Sequence, residues 1–227
     1  MEIKRLELFS RDINAQKEFY TKILELPLIE EHSKSFTVKI GHSELRFSMN
    51  KKATPYHFAI NIPTNKVLEA VTWLEERVVL LKDGDDKIID FRAWNAEALY
   101  FFDKDENIVE FISRHRLENQ IESNFSSEAL LEISEIGMPL KDIESGYKQL
   151  NEKVALPIFD GSFDRFCAIG DENGLFISIN PEKKKDWYPT NKTPEQSSFN
   201  ITFKQGTDLY AMSFNEGEIE IKKSSNI

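Results

Sequence analysis

Two stretches far apart in the chain repeat one spacing, and that repeat constrains the fold more than any other feature of the sequence. Asp12-Ile13 stands as far before Leu26-Pro27 as Asp142-Ile143 stands before Leu156-Pro157. Both intervals carry an amphipathic helix, marked by Phe19, Tyr20 and Leu24 in the first and by Tyr147 and Leu150 in the second. Asp105-Glu106-Asn107 recurs as Asp171-Glu172-Asn173, each time just ahead of an apolar strand. Two matches in the same order point to duplicated modules. At 227 residues the chain has room for one large or two small domains built from them.

The content of a module is legible at the start of the chain. Ile3 to Ser10 alternates as a strand, with Leu6 and Leu8 facing one way and Arg5 and Glu7 the other. Asp12 suits the N-cap of a helix from about Ile13 to Leu24, which Leu26-Pro27-Leu28 ends. Extended segments near 28–31, 36–40 and 43–48 complete a strand–helix–strand–strand–strand unit. The order then returns. Tyr56 to Ile62 is a strand with Phe58, Ile60 and Ile62 on one face and His57, Ala59 and Asn61 on the other. Thr64 is the expected cap of a helix whose Val67, Ala70, Val71 and Leu74 recur at helical spacing. Further strands are expected at 78–81, 88–94, 97–102 and 108–112. A polar stretch over 116–127 reads as a linker. Beyond a third module lies an irregular polar wrap with Trp187-Tyr188-Pro189, then alternating strands near 199–203, 209–214 and 219–221 with no helix between them.

The segment from Tyr100 to Ser113 is a β-hairpin with a carboxylate in an unusual place. The turn formers Asp103 to Asn107 join an aromatic strand to an apolar one, in which Glu110 shares a face with Ile108 and Ile112. A lone carboxylate there costs several kcal/mol to bury unless it is paired or bound to metal, so Glu110 either faces water at an edge or has a partner.

This hairpin resembles the closing hairpin of the vicinal oxygen chelate superfamily, which includes glyoxalase I, the bleomycin- and fosfomycin-resistance proteins and the extradiol dioxygenases. The family pattern is an aromatic strand, a turn of the Asp-Pro-Asp-Gly-Asn kind, two apolar residues and a metal-binding Glu. Here Lys104 and Glu106 replace the proline and glycine, and Glu110 keeps the ligand's register. The resemblance, over about residues 1–180, implies an α+β fold of βαβββ modules packed edge to edge in two domains. The first domain would be 1–116 (modules 1–49 and 56–115), the linker 117–127. The second, incomplete domain would be 128–227, with a module at 128–180 and a meander at 198–222. Metal ligands in the family come from the first and last strands of each module. Carried over, the first-strand positions are Arg5, His57 and Glu135 and the last-strand positions Glu44, Glu110 and Phe176. Glu135 against Phe176 offers no metal pair.

Two functions follow from the resemblance. One is a small-molecule-binding protein without a full metal site, its first-domain cleft lined by Arg5, Glu97, Trp94, Tyr100 and Phe9. A guanidinium has no lone pair to donate, so Arg5 could bridge Glu44 and Glu110 where a cation would otherwise sit. The other is a metal-dependent lyase, isomerase or dioxygenase in which His57, Glu110 and Glu44 hold Zn, Ni, Mn or Fe, with Glu110 or Glu44 catalytic. Either is expected to act as a monomer or homodimer. The net charge of −10 argues against nucleic acid and anionic membranes as partners, and the apolar runs are too short to span a bilayer. The single cysteine, Cys167, and the absence of a signal-peptide pattern after Met1 make a cytoplasmic location the expectation.

Overall fold

The computed structural model describes residues 1–224. The first module is β1 (Glu2–Ser10), α1 (Ile13–Glu18), β2 (Leu28–His32), β3 (Ser35–Ile40) and β4 (Ser43–Met49). The second is β5 (His57–Ile62), α2 (Val67–Glu75), β6 (Leu80–Leu81), β7 (Ile89–Phe91), β8 (Ala96–Phe102) and β9 (Ile108–Arg114). The third is β10 (Glu132–Gly137), α3 (Ile143–Lys153), β11 (Ile158–Ser162), β12 (Phe166–Asp171) and β13 (Gly174–Ile179). A helix-free fourth unit follows, β14 (Phe199–Gln205), β15 (Asp208–Asn215) and β16 (Glu218–Ser224).

The repeated aspartates do equivalent work. Asp12 accepts a hydrogen bond from the Ala15 amide at 3.1 Å and Asp142 one from the Ser145 amide at 3.0 Å, each satisfying an orphan donor of its helix. The first helix continues as a π turn over Phe19–Ile23. Thr64 is not a cap: α2 starts later, from Lys66, and the Thr64 amide donates to Asn119 Oδ1 at 2.9 Å.

Strand pairing builds two sheets. Seven strands run β16-β15-β14-β1-β4-β3-β2, and the larger sheet runs β11-β12-β13-β10-β5-β9-β8-β6 with β7 beside β8. The first module therefore shares a sheet with the fourth unit, through antiparallel β1–β14, and the second shares one with the third, through antiparallel β5–β10.

The main hydrophobic cluster joins one face of each sheet to the helices, with Leu6 and Leu8 from the smaller sheet and Phe58, Ile60 and Phe176 from the larger. Phe176 meets Phe203 edge to face across it at 5.7 Å. A second cluster, including Ala59, Tyr100, Ile108, Ile177 and Trp187, lies on the other face of the larger sheet. Strand alternation accounts for the division, since Phe58 and Ala59 are neighbours that point to opposite faces. Buried Asp103 ties the first module to the second: it accepts from Tyr20 Oη at 2.8 Å, from Gln16 Nε2, from Asn107 Nδ2 at 2.8 Å and from the amides of Asp105 and Asn107 at 3.0 Å. No helix among the described residues is long and apolar enough to cross a membrane.

Candidate functional site

The second hydrophobic cluster is the wall of a cleft of about 470 Å³, lined by Phe91, Trp94, Tyr100, Phe166, Trp187 and Tyr188. Its floor is polar. His57 comes from β5, Glu110 from β9 and Glu135 from β10, and one ligand atom from each lies within 4.8 Å of the others, all three side chains buried. Register explains the meeting. In parallel β5–β9, Glu110 lies beside Ala59, two residues on from His57, and in antiparallel β5–β10, Glu135 also lies beside Ala59. A single alanine, too small to intrude, thus separates three polar side chains on one face.

Burial sets the charge of this floor. The His57 imidazole is pushed down to about 4, chiefly by burial, so it is neutral at physiological pH with a lone pair to offer. Glu110 is raised well above the usual carboxylate range by burial and by Glu135, against the stabilising hydrogen bond from the Tyr100 hydroxyl. Glu135 is raised by burial, opposed by Arg114. Arg114, wholly buried at the end of β9, donates Nη2 to Glu135 and Nε to Asn61 Oδ1 at 3.2 Å, and its guanidinium lies 5.5 Å from the Trp94 ring centre. Arg114 Nη1 is buried with no hydrogen-bond partner among the described residues.

The segment between β13 and β14 covers this floor. Trp187 lies over His57 with ring centres 5.0 Å apart, and Tyr100 flanks the imidazole at 6.2 Å. Gly137 makes room, since a Cβ there would stand 2.7 Å from the indole. Tyr188 packs edge to face on Phe91 and Tyr100, and its hydroxyl donates to Asp83 at 2.6 Å.

Several expected site residues lie elsewhere. Glu44 and Arg5 belong to the smaller sheet, where Arg5 pairs with Glu30 at 3.1 Å and Glu44 at 3.6 Å, and neither joins Glu110. The cause is the sheet pairing: β1 and β4 pair within the smaller sheet, and neither pairs with β9. Glu97 sits at the far end of β8, bonded to His115 at 2.9 Å and outside the cleft lining. Phe9 lines a separate polar hollow beside Tyr56. His57, Glu110, Trp94 and Tyr100 do come together.

Glu135, which the sequence leaves without a metal-binding partner in its own module, completes the cluster because its partners belong to the second module. Its own last-strand partner is Ile177, not Phe176: Gly137, two residues on from Glu135, pairs with Ile177. The β12–β13 hairpin closes directly from Asp171 to Gly174, whereas β8–β9 closes from Phe102 to Ile108, so counting from the shared Asp-Glu-Asn slips by one residue. That slip puts Phe176 in the core between the sheets. Lys184, Trp187 and Arg114 carried no motif. The one signal was Trp187-Tyr188 in an otherwise polar wrap.

A divalent cation fits the donor set, one neutral imidazole and two carboxylates, with apolar Ile177 offering no fourth ligand. The same geometry without an ion balances differently: Arg114 neutralises Glu135 and a proton neutralises Glu110.

No protein-family model and no curated protein matches the sequence. Solved structures match the fold. A candidate dioxygenase from Bacillus subtilis is similar over 98% of this chain and 84% of its own, with a TM-score of 0.63 at 10% identity. A glyoxalase I variant from Zea mays is similar over 98% of this chain and 92% of its own, with a TM-score of 0.57 at 11% identity. At these identities the likeness is one of fold, and it runs the length of the chain. Three modules of βαβββ order, the second with its edge strand split into β6 and β7 beside β8, and a three-stranded fourth unit, paired first with last and second with third, give this chain a glyoxalase/dioxygenase-like fold.

Proposed function

We propose that the chain binds a small organic molecule in the cleft between its second and third modules, beside a divalent metal ion held by His57, Glu110 and Glu135. The observation that carries this reading is the convergence of three buried ligand atoms from three adjacent strands within 4.8 Å. Nitrogen and carboxylate donors suit Zn, Ni, Mn or Fe, and a metal-dependent lyase, isomerase or dioxygenase is the enzyme class such a site serves. When bound, the ion would polarise a substrate oxygen. The chain's own residues would do the rest. The aromatic walls exclude water from the floor. The Tyr100 hydroxyl and Arg114 guanidinium orient Glu110 and Glu135, so each carboxylate presents a fixed oxygen.

The Arg114–Glu135 pair favours a second reading, a binding cleft that works without metal. Elemental analysis of protein purified without an affinity tag, with zinc and manganese titrations, separates the two. Near-stoichiometric metal that falls to background in His57→Ala and Glu135→Gln supports the metal site. Failure of the parent protein to take up either ion sinks it and leaves the metal-free cleft. Metal affinity should rise with pH, up to about tenfold per unit, because the ion competes with the proton that burial favours on Glu110.

A further inference from the structure

The charges around the cleft specify the ligand more narrowly than its shape does. On the floor, Arg114 offsets Glu135. At the rim Arg92 is tied to Asp90 at 2.9 Å, and Asp160 is exposed and accepts from Trp94 Nε1 at 2.6 Å. Lys184 stands apart from these. It lines the same cleft as His57, and its side chain is only 18% exposed. Its ammonium donates to the Asp186 backbone carbonyl at 2.6 Å, while the Asp186 carboxylate, half exposed, stays 3.8 Å away. A mostly buried ammonium so placed has only a long ion pair to a half-exposed carboxylate, which leaves it free to take a closer anion. Trp187, three residues on in the same segment, supplies an aromatic face beside it, and Tyr100, Phe91 and Trp94 supply others.

We propose that this cleft takes a planar aromatic monoanion, its acidic group on Lys184 and its ring against the Trp187, Tyr100 and Trp94 walls. The inference goes beyond the metal reading and holds with or without an ion, since a divalent cation on two carboxylates beside Arg114 and Lys184 only increases the demand for an anion. A volume of about 470 Å³ admits one or two fused rings. The ammonium's contribution is that of a charge-assisted hydrogen bond at a partly desolvated site, which corresponds to roughly tenfold or more in affinity.

The test uses 2-naphthoate and its neutral amide, 2-naphthamide, titrated calorimetrically into the full chain with chelator and again with zinc. The acid should bind at least about tenfold more tightly than the amide. Lys184→Gln should abolish that preference by bringing the acid's affinity down to that of the amide, whose continued binding shows that the variant cleft is intact. Equal binding of acid and amide, a preference that survives Lys184→Gln, or no binding of either probe overturns the proposal. Metal uptake without naphthoate binding would leave the metal reading standing alone. Lys184-dependent naphthoate binding by a chain that takes up no metal would do the reverse.

Discussion

His57 Nε2 stands 3.4 Å from Glu110 Oε2, with both side chains buried between aromatic walls and the sheet. The distance is too long for a charge-assisted hydrogen bond, which agrees with a neutral imidazole facing a carboxyl that burial keeps protonated.

That neutrality makes stability pH-dependent. His57 is held at about 4 in the folded chain against 6.5 for a free side chain, so between those values the unfolded chain binds a proton that the folded chain refuses. The stability His57 allows is complete above about 6.5 and is lost as pH falls toward 4, a change on the order of 3 kcal/mol. Glu110 works in the opposite sense, since its raised value makes stability fall as pH climbs above 4.5. Comparing the parent with His57→Asn by urea unfolding isolates the histidine. The parent should lose stability relative to the variant between pH 6.5 and 4, and parallel curves would refute a neutral buried imidazole.

Arg114→Met should destabilise the fold by about 3–5 kcal/mol, because it leaves Glu135 buried without its counter-ion. If a cation binds at His57, Glu110 and Glu135, zinc should raise the melting temperature of this variant more than that of the parent. An equal zinc effect on both would separate Arg114 from the metal site.

Asp103 joins the first module to the second beside the Arg11–Asp105 pair, and it is the buried member of that junction with the most partners. Its loss in Asp103→Ala removes a buried acceptor of bonds from Tyr20, Gln16 and Asn107 and should cost about 3–5 kcal/mol. Tyr20→Phe removes one of those donors and should cost about 1–2 kcal/mol. Chemical denaturation reads both, and equal costs for the two variants would mean that Asp103 is not the hub.

Gly137→Ala tests the covering segment. The added methyl would sit 2.7 Å from the Trp187 indole, whose displacement uncovers His57. A cost of roughly 1–3 kcal/mol and a red-shifted tryptophan emission are expected. Unchanged emission would show that the indole accommodates the methyl without leaving the imidazole.

Strand parity is a local property, and it was legible. A period of two places His57 with Ala59 and Asn61, and Glu110 with Ile108 and Ile112, whatever the strands later pair with. The module order was equally legible, because helix caps at Asp12 and Asp142 and turn formers at 103–107 act within a few residues. Choice of sheet partner is different. The first strand of each module offers an open edge, and nothing within β5 says whether β1 or β10 will take it. That choice depends on how the modules bury their apolar faces together, and it exchanged Glu44 for Glu135 at the site and sent Arg5 to the other sheet. Hairpin length made the smaller correction, turning Phe176 into the core and Ile177 into the cleft. Arg114 and Lys184 lay beyond any reading of the sequence, since the meaning of a buried cation rests on what surrounds it, and Glu135 and His57 come to them from distant strands. Module order and side-chain parity follow from neighbours along the chain, whereas which faces meet follows from how distant modules bury their apolar surfaces against one another.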